Sequence, residues 1–494
     1  MRSEAREEPS PSPPAFSRLV CGGCGSEPPI DAFYPFRCPR AASGDDIDHV
    51  LRRVLIVAPE SPKGLWQAIF ARDDPSPFTR FRELLHSYDR ALRASLQDGD
   101  YVDIVADLDR AVTRSYGHSV GTTPFHRSAG LSDRLGFATS GGLWIKDETG
   151  QVAGSHKARH LMGLLIWLAV VEGSHRRQER SSQVAPLAIA SCGNAAFAAA
   201  VLARAVERAL DVFVPCDADP LILRHLAELG GRVHPCARDG KTSGDPCLHR
   251  FREAVAAGAL PFTVQGSENA LAIEGGKTLA WEMIATVIGS GQHLDRIFVQ
   301  VGGGALASAV VQAFEEAQLL GLVDRLPRIH AVQTEGGHPL QRGYEKLAQR
   351  IVSRCLPQHD TAAHHSSGAE RAVLIRRHVP LPRLEAELQY TATHRSQFLW
   401  PWETPPHSIA TGILDDETYD GLAILRGLVL SSGTAVVVSE ERLREAHALA
   451  RQCTGIRVDP TGSAGLAGCL ALQAAGELDP RENVAVLFTG RERT

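Results

Sequence analysis

Short apolar runs alternate with helix-like runs over residues 120–338. "PLAIAS" (186–191) precedes the alanine-rich "NAAFAAAVLARAVER", and "DVFVPC" (211–216) precedes "DPLILRHLAELGG". "DRIFVQV" (295–301) precedes "ALASAVVQAFEEAQ", and "RIHAVQTE" follows. Apolar runs this short, without polar alternation, predict strands buried on both faces. The helices between them predict parallel βα units, hence an α/β fold. The pattern returns in "TAVVVS" (434–439), a helix near 440–452, a helix in "SAGLAGCLALQAAG" and a last strand in "NVAVLFTG" (483–490). Between the two regions, about 340–410, His, Arg and Pro cluster without regular period, which predicts an insertion or lid.

Composition narrows the class. The chain has 494 residues, enough for two or three domains. Hydrophobic residues make up 44% and charged residues 22%, values ordinary for a globular protein. The net charge of −5 gives no basic excess for a nucleic-acid partner. The run "LMGLLIWLAVVEG" is too short to span a bilayer, follows Arg159 and His160 and carries Glu172 at its end, so no membrane association is expected. "MRSEAREEPSPSPPAF" lacks the apolar core of a secretory signal, and its Pro, Ser and Glu predict a disordered tail over 1–18. Ten scattered cysteines predict reduced thiols in a cytoplasmic protein.

Four stretches carry candidate chemistry. In "AGSHKARH" (153–160) Ser155 is positioned to cap the helix that follows, which puts Lys157 in the first turn of a buried helix. Burial lowers a lysine's pKa and frees its amine for Schiff-base chemistry. "ASCGNAAFAAA" (190–200) turns from a strand into a helix at Ser191, Cys192, Gly193 and Asn194, a seat for a carboxylate or phosphate. "VGGGALASAV" (301–310) opens a helix after three glycines, so backbone amides can close on a phosphate. Gly302-x-Gly304-x-x-Ala307, with Glu335 ending the next strand, also matches a dinucleotide fingerprint and leaves an oxidoreductase open. Thr489, in "VLFTGRERT", would stand at the carboxyl end of a sheet strand, where ligands of open α/β sheets bind.

The order of these motifs resembles the fold-type-II pyridoxal-phosphate enzymes, such as threonine synthase, serine/threonine dehydratases and the tryptophan synthase β-subunit. "GTTPFHR" (121–127), "LWIKDETGQVAGSHKARH", "SCGN", "EGGKTLAWE" (274–282), "VGGGAL", "DPTGSAGLAG" (459–468) and "LFTG" follow one another as in that family. The resemblance implies two open parallel-sheet α/β domains with pyridoxal 5'-phosphate between them. It implies that Lys157 carries the cofactor and serves as general base. Asn194 would meet the ring hydroxyl, Gly302, Gly303, Gly304 and Ala305 the phosphate, and Thr489 the pyridine nitrogen. Ser155, Ser191, Cys192 and Gly193 would hold the substrate. Cys192 stands where the family usually has Ser, and Arg491-Glu492-Arg493 departs from the usual ending. The reading that follows is a lyase or dehydratase eliminating a β-substituent from an amino acid. A β- or γ-replacement enzyme is the alternative. A phosphohomoserine substrate would need a second anion site, for which Arg159, Lys277 and Arg395 are the candidates. The expected partners are the amino-acid substrate and a second copy in a homodimer.

Cys21-Gly22-Gly23-Cys24 followed by Cys38 resembles the zinc-ribbon start of some threonine synthases. A structural zinc wants four ligands, and "CPRA" follows where a second Cys-x-x-Cys would stand. His49 is the candidate for completing a Cys3His set. The missing motif favours a degenerate, metal-free ribbon over 19–49, with zinc as the lesser reading, and a catalytic region over 50–494.

Overall fold

A computed structural model describes residues 15–42, 44–57, 64–176, 184–237, 245–356 and 366–493. Two open sheets form its centre. Strands β5 (Leu187–Ala190), β6 (Leu210–Pro215), β7 (Arg232–Cys236) and β8 (Leu260–Pro261) make a parallel sheet in the order β7-β6-β5-β8. The other sheet has six strands: β3 (Phe125–Arg127), β4 (Gly142–Asp147), β9 (Arg296–Gln300), β10 (Arg328–Thr334), β11 (Ala435–Val438) and β12 (Asn483–Phe488). Their order is β11-β10-β9-β12-β4-β3, and only β3 runs antiparallel to its neighbour. Every residue of β9 and β12 is buried, as expected of parallel strands covered on both faces.

The helix Lys157–Arg176 packs against helices Asn194–Ala205 and Ala272–Gly289. Its sequence is apolar around most of its circumference, and so is that of Ala272–Gly289, buried over Ala272–Ala285. Alanine dominates Asn194–Ala205, which favours helix and lets the elements approach closely.

Three expectations change. Ala15–Arg18, expected in the tail, belong to β1 (Ala15–Cys21), which pairs antiparallel with β2 (Leu51–Val57); residues 1–14 lie outside the described residues. A boundary at 49/50 therefore cuts a two-stranded sheet whose hairpin holds the cysteines. The region 340–410 is helical rather than irregular. It forms helices Pro339–Cys355, Gly368–His378 and Leu381–Thr393, all three packed on helix Gly421–Ser431. Residues 357–365 lie outside the described residues. No helix among the described residues is long and apolar enough to cross a membrane.

Candidate active site

A cavity of about 540 Å³ opens between the two sheets. The strand ends of both supply its wall. Lys157, Ser191, Cys192, Gly193, Asn194, Gly302, Gly303, Gly304, Ala305 and Thr489 all line it, although they span more than three hundred residues of sequence. Ser155 does not. It is fully buried in extended backbone, bridged to Gly490, and its Oγ has no partner, so it caps no helix.

Lys157 begins its helix after a left-handed pair, Ala153 (φ 56°) and Gly154 (φ 70°). A non-glycine residue in that region costs of order 1 kcal/mol, and such strain collects at functional sites. The C-terminal strand end pins the turn: His156 donates from its backbone N to Thr489 O (3.3 Å), and Arg491 N donates to Gly154 O (2.8 Å). Desolvation pushes the Lys157 amine below the ordinary lysine value, against Asp415 and Asp420, whose carboxylates favour the charged form.

The glycine loop behaves as an anion cradle. Gly304 (φ 102°) enters helix Ala305–Leu319 in the left-handed region. A Cβ on Gly302 would lie 2.3 Å from Asp415 Oδ2, and one on Gly303 would lie 2.9 Å from the Tyr419 ring. Gly303 N donates to Asp415 Oδ2 at 2.7 Å, so a carboxylate stands in for an oxyanion on this loop. These residues fit pyridoxal phosphate: a buried amine, a glycine cradle that accepts an anion, and a cavity large enough for a small cofactor.

Sequence reasoning missed several wall residues. Asp415, Tyr419 and Asp420 come from the segment after the expected lid, in "LDDETYD". Asp420 is 2% exposed; its Oδ2 accepts from Gly266 N (3.3 Å) and its Oδ1 has no partner. Burial pushes its carboxyl up to about 7. Arg493, part of the unusual ending, donates to Asn194 Oδ1 (2.6 Å) and lies over the Phe197 ring. Gln300 Nε2 donates to Thr489 Oγ1 at 2.5 Å. Asn194 itself is the first helical residue, with Gly193 in the cap position.

The proposed anion candidates are spent elsewhere. Arg159 pairs with Glu148 and Glu282, Lys277 with Glu316, and Arg395 with Glu417. Among the described residues, Lys157 is the only Lys or Arg that lines the cavity, which Asp245, Asp415 and Asp420 also line; Asp415 and Asp420 act on its amine. Glu335, needed for a dinucleotide ribose, is exposed and off the cavity wall.

Four buried histidines give the fold a defined acid limit. Desolvation drives His86 and His160 down to about 3, and His156 and His330 well below their ordinary 6.5. Near neutral pH they are uncharged in both folded and unfolded chains. Below about 6.5 the unfolded chain takes up protons that the folded one refuses. Stability should then fall by about 1.4 kcal/mol per pH unit for each histidine, down to its folded value. Burial raises the carboxyls of Asp109 and Asp420 to about 6 and about 7, and their proton uptake by the folded chain opposes this loss, so the check is differential. The urea midpoint of the cofactor-free protein should fall less between pH 6.5 and 5 in His330→Gln than in the wild type, and equal falls would show that this histidine is not held neutral.

The family model for pyridoxal-phosphate dependent enzymes matches residues 117–380. Threonine synthase of Methanocaldococcus jannaschii is 25% identical over 374 residues, 75% of this chain and 74% of that protein. The biosynthetic L-threonine dehydratase of Haemophilus influenzae is 26% identical over 227 residues, 45% of this chain and 39% of that one. The crystal structure of a T.th. threonine deaminase superimposes with a TM-score of 0.54 at 22% identity, covering 79% of this chain and 98% of that one. The dinucleotide reading is thereby set aside, and the chain belongs to the pyridoxal-phosphate dependent enzyme family.

Proposed function

We propose that this enzyme eliminates a neutral β-substituent, of the hydroxyl class, from an amino acid. The observation that carries this reading is the charge of the cavity wall, with Lys157 as its one described Lys or Arg against Asp245, Asp415 and Asp420. A phosphorylated side chain would meet carboxylates there and no arginine clamp. A hydroxyl leaving group needs no second anion site.

Bound pyridoxal phosphate supplies an electron sink for charge that develops at the substrate Cα. Gly302, Gly303, Gly304 and Ala305 would hold its phosphate, Asn194 its ring oxygen, and Thr489 its ring nitrogen. Arg493 orients Asn194 through its hydrogen bond, and Gln300 orients Thr489. The backbone amides of the Ser191–Asn194 turn bind the substrate carboxylate at a helix start. Lys157 removes the Cα proton, and its depressed pKa keeps the amine available as a base. Asp415, which now accepts from Gly303 N, would give up that bond to a bound phosphate. The same reading takes the protein as a cytoplasmic homodimer, in keeping with ten cysteines that form no disulfide.

Serine and threonine should release a 2-keto acid and ammonia, followed by mass spectrometry, while O-phosphohomoserine should be inert. Threonine made from phosphohomoserine, or a new amino acid made only with an added nucleophile, would replace this reading with a synthase. Asp415→Ala should speed cofactor uptake by the cofactor-free protein several-fold, seen as visible absorbance. An unchanged rate would mean that the carboxylate does not compete for the loop.

A further inference from the structure

The hairpin between β1 and β2 brings together side chains that the catalytic cavity does not use. Cys21 ends β1, and Cys24 N donates back to Cys21 Sγ at 3.5 Å. Arg40 N donates likewise to Cys38 Sγ at 3.4 Å. Such N–H···S bonds stabilise charge on sulfur. Gly23 is required in the first turn, because a Cβ there would lie 2.5 Å from Asp48 O. His49 then enters from the far side. Its Nε2 faces Asp45 Oδ2 at 2.9 Å, which assigns the proton to Nε2 and leaves the Nδ1 lone pair toward the thiols.

The spacings match a coordination shell. Cys24 Sγ lies 3.6 Å from Cys38 Sγ, and Cys21 Sγ lies 3.5 Å from His49 Nδ1. All four ligand atoms fall within 4.8 Å of one another. A tetrahedron with metal–sulfur bonds of about 2.3 Å has edges of roughly 3.7 Å. The sulfurs are thus too far apart for a disulfide and at the distance one shared ion imposes. From these positions we infer that Cys21, Cys24, Cys38 and His49 bind one zinc ion in a closed Cys3His site, with Asp45 orienting the histidine. Three thiolates and one imidazole suit zinc over harder divalent ions, and four protein ligands leave no open position for catalysis.

The site also clips the catalytic wall from behind. The loop that carries His49 is bonded to the helix Leu381–Thr393 and its end: Asp48 N donates to Ala392 O (2.8 Å), Arg395 N to Asp46 O (2.9 Å) and Ser396 N to Asp46 Oδ1 (2.7 Å). Gln389 Nε2 donates to Gly23 O at 2.6 Å, inside the cysteine turn. Arg395 lies between Asp48 and Glu417, and Glu417 belongs to the acidic segment that puts Asp415 and Asp420 on the cavity. Zinc therefore holds the 45–49 loop, the loop holds Arg395, and Arg395 holds the acidic segment.

The full-length protein, expressed with zinc and gel-filtered without chelator, should carry one zinc per chain by elemental mass spectrometry. His49→Ala and Cys24→Ser should lose it. His49→Cys should retain it, which separates lost ligation from lost folding. Asp45→Ala should weaken zinc about 10-fold or more in competition with a chromogenic chelator. Metal-free protein with three freely titrating thiols would overturn the site, and so would a Cys24–Cys38 disulfide, seen as an intact mass lighter by two hydrogens. In the clip role, His49→Ala speeds amide exchange over 389–396 and 415–420 and leaves β9 and β10 unchanged. Equal exchange there would overturn that role. Cofactor content and product identity are read separately, so failure of the zinc site and failure of the proposed elimination remain distinguishable.

Discussion

Lys157→Ala is expected to lower turnover by about 10³-fold or more, because loss of a positioned base alone is worth roughly 10²–10⁴ and the cofactor's attachment goes with it. In the wild type, borohydride should fix the cofactor on the peptide that contains Lys157. Two other buried lysines serve as internal controls. Lys146 Nζ is bound to Glu282 at 2.5 Å and Lys277 Nζ to Glu316 at 2.7 Å, so both amines are held by carboxylates away from the cavity. Label on either would move the active lysine and sink the assignment. The Lys157→Ala protein should still fold, since Lys157 is half-buried and makes no ion pair that shapes the core.

The second large effect is on stability. Arg159 is fully buried, two residues beyond Lys157. Its guanidinium donates to Glu148 Oε2 (2.8 Å), Glu282 Oε1 (2.6 Å), Thr278 Oγ1 (3.1 Å) and Thr123 Oγ1 (3.0 Å). With Lys146 it balances two carboxylates that lie away from water. The residues come from "GTTPFHR", "LWIKDE", the Lys157 helix and "EGGKTLAWE", so one network joins four of the family-like motifs. Removing one partner of such a cluster strands the others, at about 3–5 kcal/mol. Arg159→Ala should lower the urea midpoint accordingly and reduce cofactor retention, because the network anchors the first turn of the Lys157 helix. A loss below about 1 kcal/mol, the scale of a surface pair, would mean that water reaches the cluster.

Parts of the chain were legible without coordinates for a definite reason. β5, β6, β9, β10, β11 and β12 are covered on both faces, so each had to be written as a short apolar run. β2 hid because "LRRVLIV" places Arg52 and Arg53 inside the run, and Arg53 is buried only by pairing with Glu274 and Glu316. The stretch 340–410 looked irregular because Pro380 separates two of its helices and the residues after His394 continue no regular helix. Nothing in "LDDETYD" itself signals burial, yet folding turns Asp415 and Asp420 inward.

By itself the sequence determined the α/β class and the pyridoxal-phosphate family, and it singled out Lys157 as the candidate lysine from local signals: a glycine turn, a helix start and an apolar face. These are short-range properties, set by backbone sterics and burial pattern within a few residues. Only the tertiary structure decided which charges meet. It spent Arg159, Lys277 and Arg395 in ion pairs, placed Lys157 in a cavity lined by three aspartates, and removed Ser155 from the wall. It also carried His49 to Cys21 across 28 residues of chain. Electrostatic and coordination chemistry depend on separations of about 3–4 Å, and the fold sets such distances between residues far apart in sequence.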